Sequence, residues 1–181
     1  FRKQTINWPS FFHTEEKLLP LISNFCEKYN LKLYILGVHK NSEIEKNYFC
    51  RILKKDQLNF INKKYYPQNY KTLDNFNLVV FIDSTLGYEA IARKKKVAAF
   101  SSRKFSSNGP KLSFGWPKKI KKRGFFYTDK ITEKEVNRIL NNVNNCDEHY
   151  WKKKTSKILN EIIIYNKDNK VLKKVLNNNL K

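Results

Sequence analysis

The residues best equipped for chemistry stand together in Asp83-Ser84-Thr85-Leu86-Gly87-Tyr88-Glu89. An apolar run, Leu78 to Ile82, precedes them; a helical pattern follows, and then a second apolar run, Val97 to Phe100. This strand–helix–strand spacing puts an acid, two hydroxyls and a glycine at the carboxyl end of a strand, where open parallel sheets bind their ligands. A helix starting near Thr85 presents free N–H groups and the positive end of its dipole, a setting for an anion such as phosphate. Ser84 and Thr85 add hydroxyl donors. Gly87 either lets the helix pack closely or lets a ligand approach the backbone. Glu89, about one turn in, can accept hydrogen bonds from sugar or ribose hydroxyls. A plainer use is open to the same residues: Ser84 or Thr85 as a helix cap, and Glu89 as a favourable early acid. Neither the G-x-x-x-x-G-K loop nor the G-x-G-x-x-G fingerprint is present.

Other candidates are more isolated. His39-Lys40 follows the apolar run Leu31 to Val38, again at a carboxyl end, and could meet a phosphate or nucleotide; a solvated turn is the commoner fate of such a pair. Arg103 and Lys104 open a long loop and could neutralise phosphate, and Trp116 within it could stack on a base or pack the loop down. His13 and His149 read as incidental. Cys26, Cys50 and Cys146 are far apart and odd in number, without a C-x-x-C, which argues against zinc or a disulfide framework and for reduced thiols.

The elements that must hold these residues alternate. The periodicity predicts a helix over 15–29 with Thr14 as its N-cap, then a buried strand over 31–38, a helix over 43–53, and a short strand with a loop in 57–70. A brief helix over 70–76 leads to the strand 78–82, the helix 85–94 and the strand 97–101. A loop over 102–124 carries most of the glycine and proline, and loops of that length tend to be functional. A strand over 125–128 and a helix over 132–145 follow, the helix with Thr132 and Glu135 as a capping box. Residues 149–181 are helical and very basic. The alternation implies a Rossmann-like α/β fold, a parallel sheet with helices on both faces, over residues 1–150, with residues 151–181 as a basic helical tail. In that tail Ile158, Leu159, Ile162 and Ile163 form a stripe expected to pack on the domain. Val171, Leu172, Val175 and Leu176 form a second, open to packing or to an anionic membrane surface.

The 181 residues carry a formal net charge of +21, with 40% hydrophobic and 14% aromatic residues. A core is affordable and a disordered chain excluded. The charge would draw polyanions, but lysine dominates over arginine and accompanies abundant Asn, Ile, Tyr and Phe, which fits a compositional bias with a solvated face. No apolar run approaches the roughly 20 residues of a membrane span, and no signal peptide is visible, so a cytoplasmic chain is expected. The chain contains no methionine, so Phe1 reads as an internal start and an upstream domain is expected.

The stretch Asp74 to Ser102 resembles the nucleotide-sugar-binding half of a GT-B type glycosyltransferase, and within it Ser84-Thr85-Leu86-Gly87-Tyr88-Glu89-Ala90-Ile91-Ala92-Arg93-Lys94-Lys95-Lys96-Val97-Ala98-Ala99-Phe100-Ser101 resembles the central motif of bacterial surface carbohydrate biosynthesis proteins. Phe114-Gly115-Trp116-Pro117, Gly124-Phe125-Phe126-Tyr127-Thr128 and the opening Glu16-Lys17-Leu18-Leu19-Pro20 resemble further segments of that family. Lys94 departs from it, standing where the pattern has a helix-ending glycine. The resemblance implies one half of a GT-B two-domain architecture, a C-terminal domain that holds the sugar donor while the acceptor site and catalytic base come from the other domain. Ser84 and Thr85 would meet the donor diphosphate with Gly87 at the close approach, and Glu89 would bind ribose or sugar hydroxyls. No tightly bound cofactor or metal is implied. The partners would be a nucleotide-sugar, a glycan or lipid-linked acceptor for lipopolysaccharide or capsule, and the inner-membrane surface through the tail, with no specific nucleic acid. Rival readings are a sugar-nucleotide epimerase, a polyol-phosphate transferase, a basic nucleic-acid-binding module, and a non-catalytic remnant.

Overall fold

Val97, Ala98, Ala99 and Phe100 are almost completely buried, and they occupy the centre of the architecture. In the computed structural model, residues 8–38, 43–53, 55–62, 68–101, 114–115, 120–121, 123–163 and 170–179 are described. The order is α1 (Trp8–Lys28), β1 (Tyr34–Leu36), α2 (Glu43–Ile52), a 3-10 turn (Lys55–Gln57), β2 (Asn59–Ile61), α3 (Gln68–Asp74), β3 (Leu78–Ile82), α4 (Thr85–Ala92), β4 (Lys96–Phe100), β5 (Tyr127–Thr128), α5 (Glu133–Asn145), α6 (Glu148–Ile162) and α7 (Lys170–Asn179). The result is the expected Rossmann-like α/β fold, with parallel pairing between the named strands of the described residues.

The strands form two sheets. β4 lies between β3 and β5, paired Leu78 with Lys96 through Ile82 with Phe100, and Ala99 with Tyr127. A strand flanked on both edges and covered on both faces reads as a continuous apolar run, as Val97–Phe100 does. β1 and β2 pair only with each other among the described residues. The expected buried strand over 31–38 is reduced to three residues with Tyr34 exposed, because β1 has one short neighbour and is not flanked as β4 is.

The core draws on every layer. Leu18, Ile22 and Phe25 of α1 and Val136, Ile139, Leu140 and Val143 of α5 are buried in one cluster with β3, β4 and β5. The Tyr29 hydroxyl donates to Asn141 Oδ1 at 2.6 Å, tying the end of α1 to α5. The start of α1 differs from expectation. The helix begins at Trp8 with Pro9 in its first turn, where proline is well tolerated, so Thr14 is a buried interior residue rather than a cap.

The division at residue 150 falls inside α6. Trp151 and Thr155 of that helix are buried, and Ile158, Leu159, Ile162 and Ile163 pack against the core as their spacing predicts. The capping box at α5 forms by half. Thr132 accepts from the Glu135 N–H at 3.4 Å, but the Glu135 carboxylate turns to Arg123 and Arg138 instead of returning to the cap.

α4 ends in a left-handed residue, and that residue is Lys94, with φ 65°. The Lys94 N–H donates to Ile91 O at 2.8 Å and the Lys95 N–H to Ala90 O at 3.0 Å, the two bonds of a Schellman ending. Lysine thus makes the turn that glycine makes without a Cβ penalty. Lys94→Gly is expected to stabilise the chain by about 0.5–1 kcal/mol, seen as a rise of about 1–4 °C in thermal unfolding. A lower melting temperature would refute it.

Candidate functional site

The carboxyl edge of the three-stranded sheet collects polar groups from each strand. Asp83 follows β3 with φ 49°, a conformation that Asp tolerates better than most residues and that recurs at functional sites. The Ser101 hydroxyl, buried just past β4, donates to Asp83 Oδ1 at 3.2 Å. Asp129, also buried, follows β5, and the Ser101 N–H donates to Thr128 O at 3.1 Å. The edge is therefore built from backbone and side-chain bonds that cross from strand to strand.

Ser84 occupies the N-cap position of α4 with extended backbone, φ −86° and ψ 133°, yet its hydroxyl makes no capping bond. Its carbonyl accepts the N–H of Gly87 at 3.1 Å and of Tyr88 at 3.3 Å. No backbone acceptor among the described residues takes the N–H groups of Thr85 and Leu86, which is the ordinary condition of a helix start and the source of its affinity for anions. Ser84 and Thr85 are exposed. Glu89 is half-buried on the next turn, and its carboxylate has no partner among the described residues. Two hydroxyls, two N–H groups and a carboxylate at the head of a helix can together bind a phosphate and an adjoining polyol.

Gly87 serves packing. An added Cβ would lie 2.1 Å from Phe81 Cγ, so α4 approaches β3 as closely as a bare backbone allows. Of the two uses the sequence left open for this glycine, the helix–strand contact is the one its surroundings occupy. Tyr88, beside it, reaches the far segment. Its ring stacks on buried Phe114 at 5.4 Å, and its hydroxyl accepts the Gly115 N–H at 2.9 Å. Gly115 takes φ +85° there, a value suited to glycine. The two quoted segments are thus joined physically.

Arg93, also in the motif, is structural. It makes a two-pronged ion pair with Asp74 and lies 5.2 Å from the Tyr70 ring, holding α3 at the far end of α4. The Arg93 guanidinium keeps the Asp74 carboxyl below its ordinary range.

At the other sheet, β1 leads to Gly37 and Val38. The Val38 N–H donates to both Glu45 oxygens, at 2.9 and 3.0 Å. Burial pushes the nearby Glu15 carboxyl up to about 6, partly offset by hydrogen bonding from Tyr48 and reinforced by Glu45 and Glu16. His39 and Lys40 lie outside the described residues, as do Arg103, Lys104 and Trp116. The three cysteines are unpaired, and burial raises the thiols of Cys26 and Cys146, leaving them poor nucleophiles. Among the described residues no helix is long and apolar enough to cross a membrane.

Ser101, Asp129 and the Tyr88 hydroxyl are not singled out as site residues by sequence reasoning. The rule that found Ser84 also reaches Ser101 and Asp129, since each immediately follows a strand of the same parallel sheet. The bond from Gly115 to Tyr88 has no local signal.

The class these features define is an α/β protein with a parallel sheet and an anion-favouring helix start at its carboxyl edge. Residues 2–180 match the family model described as "putative O-antigen biosynthesis protein". The chain belongs to that family of surface carbohydrate biosynthesis. No curated protein and no solved structure matches it.

Proposed function

We propose that the chain is the nucleotide-sugar-binding part of a GT-B type glycosyltransferase acting in O-antigen synthesis. The observation that carries this reading is the uncommitted head of α4. Ser84 sits at the cap position without capping, and the free N–H groups of Thr85 and Leu86 stand beside it. The diphosphate of the donor lies against this helix start, with the Ser84 and Thr85 hydroxyls as further donors. Glu89 accepts from ribose or sugar hydroxyls one turn on. Gly87 contributes by seating the helix. His39 and Lys40, which follow Val38 in the sequence, remain proposed phosphate or nucleotide contacts. The leaving nucleoside diphosphate is stabilised by electrostatics, from the helix dipole and the chain's positive field, as the anomeric carbon transfers to a glycan or lipid-linked acceptor. Family membership in O-antigen biosynthesis supports a carbohydrate substrate.

The test is equilibrium binding of UDP, CDP, GDP and ADP at physiological salt. One nucleotide is expected to bind saturably, with Thr85→Ala and Glu89→Ala each weakening it at least about 10-fold, the loss of one charged or buried hydrogen bond. Short RNA or DNA binding in place of all four nucleotides, with a steep salt dependence, would sink the proposal and make the charge the function.

A further inference from the structure

We propose that α7 docks on the surface of an anionic lipid bilayer. The helix KVLKKVLNNN runs from Lys170 to Asn179. At 100° per residue, Val171, Leu172, Val175 and Leu176 share one side, and Lys170, Lys173 and Lys174 share the opposite one. The four aliphatic side chains are 62%, 56%, 50% and 47% exposed. The first stripe of the same tail, Ile158 to Ile163, packs on the core, so this exposure belongs to α7 and is not general to the tail.

Charge and area select the occupant. Four aliphatic side chains on ten residues fall far short of the ~800 Å² per partner that a stable dimer uses. Two copies would also bring together chains of net charge +21. Nucleic acid would satisfy the lysines and leave the aliphatic side wet. An anionic interface takes both at once: the aliphatic side enters the acyl boundary, and the lysine stems extend their ammonium groups to the headgroups. The helix is too short to anchor by apolar burial alone, so the attraction of the whole positive chain to anionic lipid completes it.

This inference does not depend on the donor reading. The intact chain is floated with phosphatidylglycerol/phosphatidylcholine vesicles and with pure phosphatidylcholine vesicles. The expected result is binding to the anionic vesicles only. Leu172→Ser with Leu176→Ser should weaken it at least 10-fold, and so should Lys173→Glu with Lys174→Glu. Both pairs are exposed, and their far-ultraviolet dichroism and thermal unfolding should match the parent. Absence of vesicle binding would overturn the proposal. So would undiminished binding by the Leu172/Leu176 variant alongside equal affinity for short RNA, the mark of attraction by charge alone. A dimer that the same variant dissolves would assign the helix to a second copy.

Discussion

Gly87→Ala is expected to melt about 4–8 °C below the parent chain, a loss of about 2 kcal/mol. Alanine is the better helix former by about 1 kcal/mol, so at an open position it would raise the melting temperature. Here the added methyl would stand 2.1 Å from Phe81 Cγ. Phe81 is buried in β3, with Tyr88 at 5.4 Å and Phe114 at 6.3 Å from its ring. The ring has little room to yield, so either α4 lifts from the sheet or the aromatic cluster repacks. Thermal unfolding decides by the sign of the change. An unchanged or higher melting temperature would show that α4 does not need its bare backbone. Lost nucleotide affinity without lost stability would return Gly87 to the ligand.

The second large effect is at Glu135. Its carboxylate accepts from Arg123 Nη2 at 2.7 Å and Nε at 2.9 Å, and from Arg138 Nη2 at 2.8 Å, with the Thr128 hydroxyl at 3.4 Å. Arg138 also donates to Gly124 O at 2.9 Å. Those bonds hold the carboxyl far below its ordinary range, down to about 2, Arg138 first and Arg123 second. Glu135→Gln keeps the shape and removes the charge, leaving Arg138 without its counterion. The cost at neutral pH is about 2–3 kcal/mol, because Arg123 can turn to water while Arg138 is largely covered. A depressed carboxylate stabilises the fold above its unfolded pKa and loses that contribution as pH falls toward the folded one. The gap between parent and variant should therefore be full above about pH 4.5 and close as pH drops toward 2. Denaturant unfolding at pH 7 and pH 3 measures it. A gap independent of pH would mean that packing, not charge, holds Glu135.

The sequence conveyed the elements well where periodicity and burial agree. β3, α4 and β4 appear within a residue or two of their expected bounds, because apolar runs bracket one helical turn pattern. β1 was legible as a strand but not as a short, half-exposed one, since its apolar content does not say how many neighbours pair with it. Thr14 has the chemistry of a cap, and only the upstream Trp8–Pro9 start removes it from that role. At the site, the spacing located Ser84, Thr85 and Glu89 at a strand's carboxyl end, but it could not decide between capping and an open hydroxyl. That distinction rests on side-chain direction, which no spacing encodes. Glu135 illustrates the same limit: the capping pattern was real, while its carboxylate was recruited by Arg123 and Arg138.

The brevity of β5 bears on how this chain avoids itself. A parallel sheet with an apolar central strand exposes, at its margin, a row of backbone groups on which another molecule can template. On the β5 side that margin is two residues long, and Arg123 folds back to bridge Thr128 in antiparallel fashion. The Gly124 N–H closes on Tyr127 O at 2.9 Å. The outer side of β5 thus bonds within the molecule, beside the Arg123–Glu135 ion pair. For a chain with 40% hydrophobic residues, this closes one of the sheet's two sides to edge-to-edge aggregation at high concentration.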